Sequence, residues 1–318
     1  MGGWKYHRNL SAERDNVMKV LFRKKLYGCV IMSLLCAGVL CVLAGTDDET
    51  AEVTRVGQNL YKLRFDNINL IASVGPDGVL LSDTAFENIA DELRAELIKL
   101  GNDDVKIIIN THWHSDHTDG NKAFGRRATI IAHRNVRKRL SQKQVSDYWG
   151  EEHDPLPEYA RPNLTFSDKL AIHFNGEDIE IIHFPNGHSD GDVIVYFKKA
   201  GVVHLGDLLF SDGFPAIDFE NGGNPVMWAK NLQRIIASMP KDVKFIAGHG
   251  RDYTVEDLTE YHDMIRSTVK IIHNAMVHGK SIEEMKKARI LKRWAKWGKE
   301  MFPCDKWIEM VYHSLNQF

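Results

Sequence analysis

Cysteine is scarce in this chain: of four in 318 residues, Cys29, Cys36 and Cys41 stand before position 45, which leaves Cys304 alone in the rest. One thiol closes no internal disulfide, so an apolar core must hold the fold. Net charge is nearly absent too. Lys and Arg total 41 against 43 Asp and Glu, a formal charge of -2, which removes the electrostatic ground for a nucleic-acid partner. The sequence has no repeat of fixed period and no Gly-rich dinucleotide fingerprint of the kind that opens a flavin domain. At 43% hydrophobic and 26% charged residues, it is neither a low-complexity nor a disordered chain.

The small net charge hides an asymmetry. Seven of the 41 basic residues, but only Glu13 and Asp15 of the 43 acidic ones, lie in residues 1–44, so the remainder holds 34 against 41 and carries -7. Arg23-Lys24-Lys25 leads into the uncharged run Leu26 to Ala44, which ends in small residues before Asp47-Asp48-Glu49. A cationic stretch, an apolar stretch and small residues in that order describe a secretory signal, so the body is expected to be exported, periplasmic or secreted. The run also approaches the ~20 residues that span a bilayer, so the other reading is an uncleaved anchor that holds the chain to a membrane through residues 26–44. Three parts result: 1–44 as signal peptide or N-terminal membrane anchor, 45–254 as the main domain, and 255–318 as a helical, Trp-rich C-terminal extension packed on the core.

Near-alternation of apolar and polar residues over Ala51–Arg64 and Asn69–Val74, then the turn Gly75-Pro76-Asp77-Gly78 and the apolar Gly78–Leu81, predicts antiparallel hairpins. Ile89, Leu93, Leu97 and Leu100 at helical spacing predict a helix over Phe86–Leu100, stopped by Gly101-Asn102. Apolar runs predict strands at Val105–Ile109, Thr129–Ala132, Leu170–Phe174, Ile179–Phe184, Val193–Phe197, Val202–Leu205 and Val243–Ala247. Helices are expected from His133 to about Lys143 and over Pro225–Ser238, and the proline-rich stretch 144–168 reads as a long surface connection between two halves. This interleaving predicts an α+β architecture, two sheets with helices on their outer faces.

The strand Val105–Ile109 runs into Asn110-Thr111-His112-Trp113-His114-Ser115-Asp116-His117, which puts three imidazoles and a carboxylate within six residues. Imidazole nitrogen and carboxylate oxygen are favoured zinc donors. One such loop could be a solvated polar turn, but the same chemistry recurs past three other strands. His188 follows Gly187, Asp207 follows Gly206, and His249 stands between Gly248 and Gly250. Glycine beside each donor lets backbone and side chain approach a shared centre. His183 is the rival to His188, and the Gly187-His188 context favours His188. His133, His153, His173 and His204 read as core or surface residues.

These motifs resemble the metallo-β-lactamase superfamily, over roughly Val53 to Gly250. The resemblance implies an αββα four-layer sandwich of two mixed β-sheets with a dinuclear zinc site, two Zn2+ per chain, at one edge. By motif it places His112, His114 and His188 on one metal, Asp116, His117 and His249 on the other, and Asp207 between them. The segment Leu80-Leu81-Ser82-Asp83-Thr84 is similar to the family's first motif, which puts Asp83 behind a ligand histidine; the residues alone read Asp83 equally as the N-cap of the helix near Phe86.

The implied reaction is attack by a metal-bridging hydroxide, held in line by Asp116, on a small-molecule substrate. A cyclic amide or ester would be opened, in β-lactamase fashion, the activity that underlies antibiotic resistance. Asp207 stands where most β-lactamases of the superfamily carry Cys or Ser, and Phe210 where many carry Lys; this directs attention to a lactonase or thioesterase as the alternative. A non-catalytic or redox metal-binding module is a further alternative. In the loop Phe210–Asn224, Phe210 and Phe214 read either as walls of a substrate cleft or as core aromatics.

Overall fold

Four strands, β1 (Glu52–Arg55), β2 (Leu60–Phe65), β3 (Ile68–Gly75) and β4 (Gly78–Ser82), follow one another as antiparallel hairpins, as their alternating pattern predicts. The computed structural model describes residues 51–299 and 302–317. The leader and apolar run of residues 1–44, and with them the signal or anchor, lie outside the described residues. After β4 a 3-10 turn, Glu87–Ile89, and the helix Ala90–Lys99 form a crossover, so β5 (Val105–Ile109) lies parallel to β4. Next come β6 (Thr129–His133) and the short helix Arg134–Leu140.

The stretch 144–168 is more ordered than its prolines predict. It holds the hairpin of β7 (Gln144–Ser146) with β8 (Glu151–His153), then β9 (Leu164–Phe166), which pairs in parallel with β6 and closes a seven-stranded sheet ordered β1-β2-β3-β4-β5-β6-β9. Three residues are too few to show a period, so only the neighbouring strand makes β9 a strand. The second sheet takes β10 (Lys169–Phe174), β11 (Glu177–His183), β12 (Val193–Phe197), β13 (Val202–His204) and β14 (Lys244–Ile246) in that order. Its pairs are antiparallel as far as β13, and β14 is parallel to β13.

The pleat decides what each sheet covers, because neighbouring side chains point to opposite faces. Ile71, Leu80, Ile109 and Ile131 point inward and share one cluster with Ile181, Val195 and Phe197 of the other sheet. Their chain neighbours Ala72, Leu81, Ile108 and Ile130 point outward, onto Leu93 and Leu97 of the helix Ala90–Lys99. On the far side Ile194, Tyr196 and Val203 meet Trp228 and Leu232 of the helix Pro225–Ser238 and Tyr261 and Ile265 of the helix Val255–Val277. Helix, sheet, sheet and helix thus stack in four layers. Asn224 caps Pro225–Ser238 through Val226 and Met227, and Thr254 with Asp257 forms a capping box on Val255–Val277. Among the described residues, no helix is long and apolar enough to cross a membrane.

Candidate metal centre

Beyond β5 the chain turns sharply. Asn110 is buried and exchanges side-chain hydrogen bonds with Asn121, while Thr118 donates its hydroxyl to the carbonyls of Trp113 and His114. One helical turn, Ser115–Thr118, then brings Asp116 and His117 round to the side that already carries His112 and His114. Leu205 N–H donates to Ile246 O and Gly248 N–H to Gly206 O, which clamps the Asp207 and His249 segments together. Gly248 is required by space: a Cβ there would stand 2.2 Å from Asp207 Oδ1 and 2.8 Å from the Gly206 carbonyl carbon.

The donor atoms gather in two groups that share one residue. His112, His114, His188 and Asp207 form the first, and Asp116, His117, His249 and Asp207 the second, with the atoms of each within 4.8 Å of one another. Asp207 Oδ2 is 3.7 Å from His112 Nε2 and 3.6 Å from His188 Nε2. Its Oδ1 is 3.1 Å from His117 Nε2 and 3.3 Å from His249 Nε2. One carboxylate therefore offers an oxygen to each group. Asp116 Oδ2 lies 3.2 Å from His249 Nε2, and His114 Nδ1 lies 3.1 Å from His112 Nε2 and 2.9 Å from His188 Nε2.

Each of the five rings is held from behind, which fixes the nitrogen it turns inward. His117 Nδ1 meets Asp83 Oδ2 at 2.8 Å, and His114 Nε2 meets Asp218 Oδ2 at 3.0 Å. His188 Nδ1 reaches Ala216 O at 2.9 Å and His249 Nδ1 reaches Asn67 O at 3.1 Å. Thr111 donates its hydroxyl to Asp83 Oδ2 at 2.7 Å, so it can only accept from His112 Nδ1, 3.1 Å away.

Electrostatics show why this cluster suits a cation. Burial, and then the neighbouring His117, push the His112 imidazole well below its ordinary value; burial, and then His114, take His188 down to about 4. Both rings are neutral, with lone pairs free for a metal. Burial works against the charge of Asp207, but His249, and then His117, hold it well below the carboxylate range. His117 Nε2 and Asp207 Oδ1 are buried without a hydrogen-bond partner among the described residues, although they lie 3.1 Å apart. Burial opposes charge on His117, but Asp116, Asp207 and Asp83 hold its imidazole well above the ordinary value, so the carboxylates favour positive charge at this point, where a cation fits the donor set.

The structure brings all seven sequence-predicted donors to this one place. Asp83 lies behind His117 and caps nothing, because the turn after it starts from Phe86 without a side-chain cap. Phe210 stacks on the His249 ring at 5.1 Å between centroids. Phe214 is corrected: it is 1% exposed and stacks on Trp307 at 5.3 Å and 9°, so it is core and not a cleft wall. The rival His183 stacks on His133 at 3.7 Å, and His204 Nδ1 bonds Ser82 Oγ at 2.8 Å. Sequence reasoning missed Asp218 and Thr111. Thr111 carried a signal, as a hydroxyl next to His112, whereas Asp218 is one acid among several in its loop.

Residues 62–251 match the model of the metallo-beta-lactamase superfamily, and the chain belongs to that superfamily. It is thereby a hydrolase-class protein with a histidine and aspartate cluster able to hold metal. A protein of Pelagibacter ubique named hydroxyacylglutathione hydrolase is 30% identical over 169 residues, which cover 52% of this chain and 61% of that one. The solved metallo-beta-lactamase from Pontibacter korlensis superposes with a TM-score of 0.55 at 18% identity, over 68% of this chain and 99% of that one. An inverting sec-alkylsulfatase from a Pseudomonas species superposes with a TM-score of 0.62 at 15% identity, over 83% of this chain and half, 50%, of that one. Likeness at these identities is likeness of fold.

Proposed function

We propose that this protein is an exported dinuclear zinc hydrolase that opens a cyclic amide or ester in a small molecule. The observation that carries the reading is Asp207, whose two oxygens face two separate sets of three further donors. His112, His114 and His188 would hold one ion and Asp116, His117 and His249 the other, with Asp207 shared. Bound there, the ions supply Lewis acidity, which brings the pKa of a coordinated water to about 7 and polarises a carbonyl.

The chain's own part follows from exposure and charge. Asp207 has a side chain only 4% exposed and serves to hold, whereas Asp116 is 22% exposed and can reach a molecule in the cleft. Burial alone would raise the Asp116 carboxyl, but the adjoining His117 carries it well below the ordinary range, so it stays an acceptor at neutral pH. It can orient a water by accepting a hydrogen bond from it at a carboxylate oxygen. Phe210, stacked on His249, forms an apolar flank beside it. Export rests on the cationic and apolar order of residues 1–44.

A thioester is the second reading, favoured by the 30% identity to a relative named hydroxyacylglutathione hydrolase. One experiment separates them: metal analysis of purified protein, then turnover of a carbapenem, a cephalosporin, an acyl-homoserine lactone and a glutathione thioester. Two zinc ions with turnover of a ring substrate is the expected result. Turnover of the thioester alone establishes the second reading. Two zinc ions with no turnover of any of the four overturns both in favour of a non-catalytic module, and full activity with one zinc or none sinks the dinuclear centre.

A further inference from the structure

Within the segment Ala216–Asp218, Ala216 and Asp218 touch two of the three histidines in the first donor group. Ala216 O accepts from His188 Nδ1 at 2.9 Å, Asp218 N–H donates to His188 O at 3.0 Å, and Asp218 Oδ2 accepts from His114 Nε2 at 3.0 Å. The same oxygen accepts from Trp113 Nε1 at 2.8 Å, and Oδ1 accepts from Asn221 Nδ2 at 2.9 Å. Asp218 is thus a saturated, buried carboxylate with both oxygens committed. None of its hydrogen bonds goes to Asp116, His117 or His249.

This segment is in turn held by the C-terminal helix Cys304–Asn316. Phe214 stacks on Trp307, Phe219 stacks on His313 at 6.2 Å and 25°, and Ser314 donates to Gly223 O at 3.3 Å. Phe214 N–H also donates to Trp297 O at 3.0 Å. The helix therefore grips the loop on both sides of Asp218.

We infer that Asp218 is a positioning residue for one metal only: within a stretch that the C-terminal helix grips, it holds His114 with Nδ1 turned inward and so sets the affinity of the first donor group. The inference rests on the dinuclear reading given above. A carboxylate behind an imidazole fixes its tautomer and raises its basicity, and loss of such a partner typically weakens metal binding ~10–100-fold. Asp218→Asn keeps the shape and removes the charge.

The test is a zinc titration of metal-free protein against a chromophoric chelator, which resolves the binding steps of the wild type and of D218N. One step weakened by ~10–100-fold with the other unchanged is the expected result. Both steps weakened alike, or neither, would overturn the assignment. In case D218N fails to fold, nitrogen-15 NMR of the zinc-loaded wild type gives a second readout: the His114 proton is expected on Nε2, and a proton on Nδ1 would refute the role. A wild type that binds a single zinc would sink the dinuclear reading itself, and whether D218N weakens that single step would still decide the case for Asp218.

Discussion

Asp83 Oδ2 lies 2.8 Å from Nδ1 of His117, both side chains are wholly enclosed, and the far nitrogen of the imidazole is thereby aimed at Asp207 Oδ1, 3.1 Å away. Asp83 adopts a left-handed backbone, φ 67°, to reach it. A non-glycine residue in that region is strained, and such strain persists where the surroundings fix it. Here they do, since Thr111 binds both oxygens of the same carboxylate, N–H to Oδ1 and hydroxyl to Oδ2.

Asp207→Ala removes the only donor shared by both groups. Zinc content is expected to fall below two per chain, and hydrolysis to drop by more than the ~10–100-fold that follows loss of a partner behind a ligand. Metal analysis and turnover on the same preparation check this. Retention of two zinc ions would show that the carboxylate bridges nothing.

Gly248→Ala tests the close approach of two loops. The new methyl would meet Asp207 Oδ1 at 2.2 Å and the Gly206 carbonyl carbon at 2.8 Å, and the backbone atom cannot swing aside. A loss of ~1–3 kcal/mol in stability is expected, as for other overpacked sites, together with weaker zinc binding. Denaturant midpoints with and without zinc measure both, and wild-type zinc affinity in the variant would contradict the account.

Phe210 and Phe214 should separate. Phe214→Ala deletes a buried ring stacked on Trp307 and is expected to destabilise the fold by ~3–5 kcal/mol, with KM unchanged in the protein that remains folded. Phe210→Ala, at the half-buried ring on His249, should change KM or kcat with a smaller loss of stability. An altered KM without lost stability in the Phe214 variant would return that residue to the cleft.

Acid should loosen the fold through His133. Its ring lies flat on His183 at 3.7 Å and 9°, and its Nδ1 accepts from Asn135 N–H at 3.3 Å. Burial, and then His183, lower it to about 4; Arg134 adds to the fall, and Asp168 offsets it in part. On the other ring, burial lowers His183 against the pull of Asp190 and Asp168. The unfolded chain, with a histidine near ~6.5, therefore takes up protons before the native one does. This contribution is fully favourable above ~6.5 and is lost as pH falls toward 4. His133→Asn keeps an acceptor at that position and should flatten the dependence of Tm on pH between 4 and 7. Superimposable profiles for the two proteins would rule the pair out.

Much of the architecture is legible in the chain because its causes are local. Alternation over Ala51–Val74 needs only the pleat, and Pro225–Ser238 carries its own cap and period. The donors stand out because a dense run of imidazole and carboxylate at 112–117, with single donors beside glycine at 188, 207 and 249, all just past apolar runs, is a rare coincidence in any sequence. Strand β9 and the placing of Phe214 were not legible, since a three-residue run and a lone aromatic take their meaning from whatever packs against them.

The sequence by itself determined most of the strands and helices in their order and the kind of donor past each strand end, because these depend on contacts a few residues apart. Tertiary structure alone decided which nitrogen of each histidine looks inward and that Asp218, 104 residues from His114, stands behind it. The physical reason is that hydrogen bonds such as these join segments remote in the chain. They exist only after two sheets and the C-terminal helices have brought the loops within about 3 Å, a distance that residue spacing does not encode.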